Sequence, residues 1–179
     1  VGWGCIDGVE VELWGECYNI EGTTDLELSN SGLVGEIPSE IGDLINLTYL
    51  NLWSNQLTGD IPPEIGNLTN LWYLDLQGNQ LTGNIPSEIG NLVNLTILRL
   101  NDNNLSGEIP GNICDLTIDW SGVTYIHELP LPHFDVDNNN LCPPYPDCLS
   151  GEEIGEYQYT LECGDLAICD EEIGEYQYT

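Results

Sequence analysis

A unit of 24 residues recurs along the middle of the chain, and this period limits the possible folds more than any other feature of the sequence. A fixed period of this size is typical of repeat architectures, in which each unit packs on its neighbours. A fifth, divergent unit, FDVDNNNLCPPYP, starts at Phe134, 36 residues after Leu98, so we expect an insertion in the fourth unit at about 118–132. The four preceding units are LELSNSGLVGEIPSEIGDLINLTY, LNLWSNQLTGDIPPEIGNLTNLWY, LDLQGNQLTGNIPSEIGNLVNLTI and LRLNDNNLSGEIPGNICDL.

The residue pattern inside each unit predicts one short strand followed by two changes of direction. In L-x-L, the two leucines point to one face of a strand and the residue between them points to the other. Glycine permits the bend that follows, and proline in the Ile-Pro pair cannot donate a ladder hydrogen bond. We expect the P-x-E-I-G-x-L-x-N-L segment to return in short helical turns. A recurrent asparagine after the strand can satisfy backbone groups where the chain turns: Asn55, Asn79, Asn103 and Asn139.

These features resemble the plant-type leucine-rich repeat, LxxLxLxxNxLxGxIPxxIGxLxN, which occurs in ectodomains of plant receptor kinases, in polygalacturonase-inhibiting proteins and in secreted bacterial proteins. The resemblance extends from about Thr24 to Pro146. It implies an α/β-repeat fold, namely a short right-handed solenoid with a parallel concave β-sheet, a second short sheet from the L-x-G-x-I-P segments, and disulfide-stapled caps. The first unit departs from the pattern at Ser31, which stands where asparagine is expected, as suits an edge repeat.

The ends of such a solenoid need caps, because its terminal leucines would otherwise face water. We therefore divide the chain into an N-terminal cap at 1–25, a solenoid with its C-terminal cap at 26–149, and an acidic, β-like tail at 150–179. No apolar run approaches the roughly 18 residues of a membrane span. Because the sequence starts at Val1 and has no methionine, we expect a mature, processed product that is secreted or displayed at the cell surface.

The cysteines favour disulfides over a metal site. There are seven of them and no CxxC pair, so disulfides in an oxidising compartment fit better than a zinc site. Because the number is odd, at least one thiol is free or paired between chains. By the family resemblance, Cys5 would pair with Cys17 in the N-terminal cap, and Cys142 with Cys148 in the LCPPYPDC cap. The alternative joins Cys114 to Cys142 and Cys148 to Cys163. We also expect the last two cysteines, Cys163 and Cys169, to form disulfides.

Charge and motifs exclude several functions. The chain has 31 acidic residues against one base, Arg99, for a net charge of −30. This balance argues against nucleic acid, whose phosphates need Lys and Arg, and against anionic membranes. No nucleophile elbow, phosphate loop or dinucleotide motif is present, and His127 and His133 are expected to be surface or packing residues. We therefore expect no enzymatic activity.

Aromatic and polar side chains alternate on the outward positions of the predicted concave sheet. Aromatic anchors with polar neighbours favour binding of a glycan or a peptide, although a concave face without a ligand is the alternative. We expect no cofactor except Ca²⁺, for which Asp25, Glu27, Asp75, Asp135 and Asp137 offer oxygen ligands. The residues expected to bind the ligand are Tyr49, Asn51, Trp53, Trp72, Tyr73, Asp75, Gln77 and Arg99.

The segment EEIGEYQYT occurs twice in the tail, at 152–160 and 171–179. Its residues alternate as in a strand, so one copy could add to a groove or sheet edge of its own solenoid and the other to a neighbouring chain. Such a contact propagates into a filament; a loosely held tail that acts only as a spacer is the alternative. The residues expected at the contact are Ile154, Tyr157, Tyr159, Ile173, Tyr176 and Tyr178.

The sequence thus predicts a secreted protein that assembles with itself through its tail or binds a glycan or peptide on its concave face. A third hypothesis, an inhibitor of a secreted carbohydrate-active enzyme, rests on the family resemblance alone. Four N-x-S/T sequons are candidate glycosylation sites, although the first three also follow the N-L-T pattern of the repeat: Asn46, Asn67, Asn94 and Asn104.

Overall fold

One short strand from each of five successive coils joins a single parallel sheet in the computed structural model, which describes residues 4–120, 122–126, 129–149, 168–170 and 175–177. Leu26, Leu50, Leu74 and Leu98 lie side by side in this sheet, and Phe134 continues the row. All five side chains are buried, which explains the period of the sequence. In spatial order the strands are β3 (Asp25–Glu27), β5 (Tyr49–Asn51), β7 (Tyr73–Asp75), β9 (Ile97–Arg99) and β13 (Phe134–Asp135).

A second set of parallel strands follows the first sheet around each coil, as the L-x-G-x-I-P segments predict. An isolated bridge between Asn84 and Ser106 continues the series between its two parts. The strands of the first part are β4 (Val34–Gly35), β6 (Gln56–Asp60) and β8 (Gln80–Thr82), and those of the second are β10 (Ser106–Glu108) and β14 (Asn140–Cys142).

The chain returns on the convex side through 3-10 helices rather than α-helices. Each begins directly after the proline of the repeated Ile-Pro pair, whose φ lies between −65° and −61°. Their bonds run from residue i to i−3, as from Ile41 N to Pro38 O (3.0 Å), a geometry suited to such short pieces. A Cβ at Gly42 or Gly66 would lie 2.6 Å from a backbone oxygen of the next coil, so glycine is required there. The four helices are η1 (Ser39–Asp43), η2 (Pro63–Asn67), η3 (Ser87–Asn91) and η4 (Gly111–Asp115).

The recurrent asparagine bridges each coil to the one before it. Asn79 Nδ2 donates to Leu52 O and Leu76 O, both at 3.0 Å, and its Oδ1 accepts the amide of Leu57 at 3.1 Å. Asn103 and Asn139 make the equivalent bonds one and two coils further on. The predicted role of the recurrent asparagine, which is to satisfy backbone groups where the chain turns, is therefore confirmed. Each bridge between coils joins an asparagine side chain to backbone atoms.

An antiparallel hairpin forms the N-terminal cap, with strands β1 (Glu10–Leu13) and β2 (Glu16–Asn19). Val11 and Leu13 are buried against the first coil. Trp14 packs on the same core, and its Nε1 donates to Glu36 O at 3.1 Å. The structure joins Cys5 to Cys17, the pair that the family resemblance implies.

The C-terminal cap has a different disulfide from the expected ones. Cys114 is bonded to Cys148, with their Cα atoms 5.6 Å apart. The predicted Cys142–Cys148 pair is therefore wrong, and so is the alternative that joined Cys114 to Cys142 and Cys148 to Cys163. Cys114 and Cys148 pack together on the hydrophobic core, whereas Cys142 lies on β14 in the second sheet. Cys142 is disulfide-bonded as well, to a residue other than these two.

The insertion forms a second antiparallel hairpin, β11 (Val123–Ile126) with β12 (Leu129–Pro132). Trp120, just before it, packs edge-on against Phe134 with ring centroids 5.1 Å apart. In the tail, β15 (Ile168–Asp170) pairs antiparallel with β16 (Glu175–Gln177). Over the part of the chain that the structure describes, no helix has the length and apolar character that crossing a membrane would demand.

Candidate binding face on the concave sheet

Strand pairing aligns the outward residues of the concave sheet in columns, as the sequence predicts. The backbone amide of Leu98 donates to His133 O, which places His133 beside the end of β9. Column 1 is Asp25, Tyr49, Tyr73, Ile97 and His133; column 2 is Glu27, Asn51, Asp75, Arg99 and Asp135; column 3 is Ser29, Trp53, Gln77, Asn101 and Asp137.

Three rings form an aromatic cluster on the middle coils. Tyr49 stacks on Tyr73 with centroids 4.5 Å apart, and Trp72 lies edge-on to Tyr73 at 5.6 Å and tilted against Tyr49 at 5.9 Å. Trp72 remains 43% exposed, and Trp53 on column 3 remains 46% exposed. Large, rigid and partly exposed rings of this kind are the side chains that anchor protein partners.

Hydrogen bonds hold the hydroxyls of the two tyrosines. Tyr49 Oη donates to Glu27 Oε2 at 2.9 Å, and Tyr73 Oη donates to Asp75 Oδ2 at 3.0 Å. Burial raises the pKa of Tyr73 well above its usual value, and the Asp75 carboxylate adds to that effect. The phenol therefore stays a neutral donor, and the cluster keeps one arrangement before any partner arrives.

Arg99 is buried under this network, although the sequence placed it among the outward ligand-binding residues. It is only 4% exposed. Its Nε donates to Pro132 O at 2.9 Å, and its Nη1 donates to Tyr73 Oη at 3.1 Å and to Asp75 Oδ2 at 3.4 Å. Burial raises the pKa of Asp75, and bonds from the Gln77 amide, Tyr73 and Arg99 counteract that rise. Arg99 and Asp75 thus hold the Tyr73 hydroxyl on the buried side of the aromatic cluster.

The side chains of column 2 also fix the strand ends. An oxygen at this position accepts the backbone amide two residues later, as from Trp53 N to Asn51 Oδ1 (3.0 Å) and from Gln77 N to Asp75 Oδ1 (3.1 Å). Asn51 and Asp75 are consequently 8% and 4% exposed. Of the eight expected ligand-binding residues, the structure leaves Trp53 and Trp72 open, and it buries Asn51, Asp75 and Arg99 as supports.

Negative charge collects at the C-terminal end of this face, which we call the acidic corner: Asp102, Asp135 and Asp137. Asp102 accepts bonds from the side-chain amides of Gln77 (3.4 Å), Asn101 (2.9 Å) and Asn138 (2.8 Å). Burial raises the pKa of Asp135 to about 6, and the charges of Asp137 and Asp102 add to the rise. The sequence analysis did not single out Asp102. It stands at the loop position with positive φ that Ser54 and Gly78 hold in the two preceding coils, and a charged residue at that position could have identified it.

The concave carboxylates do not form a calcium site. No group of three or more His, Cys, Asp or Glu within the described ranges has an arrangement that could hold a metal ion. The reason is that the column 2 carboxylates are already engaged: Glu27 by Tyr49 and Asn51, and Asp75 by Tyr73 and Arg99.

The sequons occupy two kinds of position. The side-chain amides of Asn46 and Asn94 donate to Glu21 O and Thr69 O of the preceding coil at 2.9 and 2.8 Å. Asn46 is half-buried, whereas Asn67, Asn94 and Asn104 are exposed. Tyr176 lies in β16, and the other expected assembly residues lie outside the described part of the chain: Ile154, Tyr157, Tyr159, Ile173 and Tyr178.

Known proteins share this architecture. A family model for the leucine-rich repeat matches residues 21–81 and 45–105. The BIR2 ectodomain from Arabidopsis thaliana is 35% identical, with a TM-score of 0.57 over 68% of this chain and 57% of that chain. The LRR ectodomain of the receptor kinase GASSHO1/SCHENGEN3 from Arabidopsis thaliana, solved with CASPARIAN STRIP INTEGRITY FACTOR 2, is also 35% identical, with a TM-score of 0.57 over 66% of this chain and 13% of that chain.

The Arabidopsis receptor kinase HAESA, solved with the peptide hormone IDA and the co-receptor SERK1, is 28% identical with a TM-score of 0.68 over 89% of this chain and 24% of that chain. This chain therefore spans from 13% to 57% of the length of the three structures. No curated protein sequence shows significant similarity to it. From its repeats, its parallel sheets and these relatives, the chain belongs to the plant-type leucine-rich-repeat family.

Proposed function

We propose that the chain is an extracellular binding module that holds a peptide segment of a partner against its concave sheet. The observation that carries the proposal is the aromatic cluster, in which Trp72 is 43% exposed above two tyrosines whose positions are fixed by stacking and hydrogen bonds. A preorganised surface loses little conformational freedom on binding, so its contact area contributes more to affinity.

The structural relatives support a peptide rather than a glycan. The receptor kinase HAESA is solved in complex with a peptide hormone, and the GASSHO1/SCHENGEN3 ectodomain is solved in complex with CASPARIAN STRIP INTEGRITY FACTOR 2. Disulfides at both ends of the solenoid fit an oxidising, extracellular setting. Binding rather than catalysis is the corresponding role of the chain.

A phage-displayed library of random 12-residue peptides, selected on the wild-type chain, tests the proposal. We expect the selected peptides to bind Trp53→Ala or Trp72→Ala at least about tenfold more weakly in biolayer interferometry. The matched controls are Ile45→Ala and Val93→Ala, which truncate side chains of similar exposure, 53% and 54%, on the convex side. Unchanged binding by both tryptophan variants would contradict the proposal, and so would a library from which no peptide is enriched.

Self-association through the tail is a second candidate function. It is favoured by the duplication of EEIGEYQYT and by the strand β16, which lies within the second copy and pairs with β15. A two-stranded hairpin has unpaired edges to which a strand of another chain can add.

Light scattering at high salt, where the charge repulsion between chains is screened, tests this second candidate. We expect the full chain to form multimers and a chain lacking 171–179 to be monomeric. A chain with a scrambled EEIGEYQYT at 171–179 is the control for composition and charge. Multimers that persist in both altered chains would refute the tail contact, as would a monomeric full chain.

A further inference from the structure

The asparagines of the four N-x-S/T sequons are not equivalent in the fold, because different positions of the repeat carry the motif. One position is the last residue of a convex 3-10 helix, where Asn67 stands in η2. A second position lies three residues later in the repeat, where Asn46 and Asn94 stand. Asn104 belongs to neither of them, since it lies just before β10.

Asparagine at the second position has a structural role. The side-chain amides of Asn46 and Asn94 donate to a backbone oxygen of the preceding coil at 2.9 and 2.8 Å. Asn70 stands at the same position in the coil between them and makes the same bond at 2.9 Å, although no sequon is present there. Asparagine at this position therefore connects successive coils on the convex side, with or without the motif.

The other polar groups of these sequons are also bonded to the preceding coil. The hydroxyls of Thr48 and Thr96 each donate to one of its backbone oxygens, at 3.1 and 3.0 Å. In the remaining sequon of this kind, the backbone amides of Asn104 and Ser106 both donate to the preceding coil at 2.8 Å, and the Ser106 hydroxyl donates to it at 3.4 Å. Each of these three sequons is thus held by at least two hydrogen bonds.

The sequon at 67–69 is open by comparison. The side chains of Asn67 and Thr69 are exposed, and neither forms a hydrogen bond with another residue in the described ranges. Two backbone bonds of this segment are local, from Leu68 N to Ile65 O at 3.1 Å and from Thr69 N to Asn67 O at 2.9 Å. Asn67 Nδ2 lies 3.1 Å from the Cβ position that Gly42 leaves empty. The carboxamide and the hydroxyl are therefore both accessible to an enzyme.

Transfer of a glycan requires an acceptor amide that can move. The Nδ2 atom attacks C1 of the first sugar of a lipid-linked oligosaccharide, so that an N–C bond forms, the C–O bond to the lipid diphosphate breaks, and the amide gives one proton to a base of the transferase. An amide nitrogen is a poor nucleophile, because its lone pair is conjugated with the carbonyl. The amide must twist about its C–N bond to free that lone pair, and a hydrogen bond to the preceding coil opposes the motion.

We propose that Asn67 is the N-glycosylation site of the folded chain, and that the sequons at Asn46, Asn94 and Asn104 stay unmodified in it. The modification is an oligosaccharide joined through C1 of its first sugar to Nδ2. This site does not depend on the proposed peptide binding. Because η2 belongs to the convex side, a glycan at its end leaves the concave sheet open.

Transfer by a single-subunit oligosaccharyltransferase, with a lipid-linked oligosaccharide as the donor, tests the proposal. Peptide mass spectrometry gives the initial rate at each sequon of the folded chain. Each rate is divided by the rate at the same sequon in a glutamate-specific digest, which removes the sequence preference of the enzyme. We expect the normalised rate at Asn67 to exceed the other three at least about tenfold, the equivalent of about 1.4 kcal/mol. A smaller ratio would overturn the proposal, and so would a folded chain without transfer to Asn67.

Two variants place a new sequon at each of the two convex positions. Val93→Thr completes the motif at Asn91, the last residue of η3 and the counterpart of Asn67. Trp72→Thr completes it at Asn70, whose Nδ2 is bonded to the preceding coil. Once circular dichroism shows that both variants are folded, we expect the first to gain a second glycan and the second to gain none. Equal transfer to Asn91 and Asn70, or none to Asn91, would refute the position in the repeat as the cause.

Discussion

Replacing Asn79 with alanine should destabilise the solenoid more than any change at an exposed asparagine. The carboxamide of Asn79 bridges two coils, and its loss leaves the buried amide of Leu57 without an acceptor and removes the 3.0 Å bonds to Leu52 O and Leu76 O. An orphaned buried donor costs about 1–3 kcal/mol and each lost bond about 1 kcal/mol. The expected loss is therefore about 3–5 kcal/mol, a large share of the about 5–15 kcal/mol typical of a domain.

Urea denaturation followed by circular dichroism measures this loss as a change in the free energy of unfolding. Asn104→Ala is the control, because Asn104 is exposed in the same coil as Asn103 and should change stability by less than about 0.5 kcal/mol. A loss below about 1 kcal/mol for Asn79→Ala, or one equal to that of the control, would refute the view that the recurrent asparagines connect successive coils. Because Asn103 makes the equivalent three bonds, Asn103→Ala should lower the free energy of unfolding by a similar amount.

Three further changes have expected outcomes. Burial raises the pKa of Asp135 from 3.8 to about 6, so Asp135→Asn should stabilise the fold above about pH 6 and have no such effect below about pH 4. The upper limit of the gain is about 3 kcal/mol, at about 1.4 kcal/mol per pH unit. A gain of the same size at pH 3.5 in thermal melts would contradict the raised pKa. Arg99→Met leaves Asp75 buried without its ion pair and should cost about 3–5 kcal/mol in urea titrations, with partial recovery on adding Asp75→Asn; equal losses with and without the second change would exclude the pairing as the cause. Cys114→Ser should cost about 2–4 kcal/mol and leave the thiol of Cys148 open to labelling by iodoacetamide, and protection of Cys148 in that variant would refute the observed pair.

The regular part of the fold follows from the sequence because each obligatory interaction repeats with the period. Leu50 and Leu74 must lie side by side, and Asn79 must meet the backbone of the preceding coil, whatever residues fill the variable positions. The columns of the concave face were predictable for the same reason. The exposed Trp53 is at a position that the repeat itself directs to the concave side, and Trp72 precedes the column 1 residue Tyr73.

The parts that break the period could not be predicted in this way. The C-x5-C spacing of Cys142 and Cys148 does not say which Cα atoms come within disulfide range, and the end of η4 turned out to bring Cys114 there. Arg99 was expected to face a ligand, but its burial depends on Pro132, the last residue of the inserted hairpin. The path of an insertion is set by its own packing, which no repeat constrains.

The glycine that follows each convex isoleucine sets the pitch of the outer side of the stack. At Gly66 a Cβ would lie 2.6 Å from Glu88 O, so the backbones of successive outer turns are in close contact there. Bending of a stack depends on the difference between its inner and outer spacing, and a small difference gives low curvature. Widening the outer turns, as Gly66→Ala would, increases the bend and brings the two ends of the concave face closer together. The separation of the outermost strands of the concave sheet is thus governed by glycines on the opposite side of the molecule.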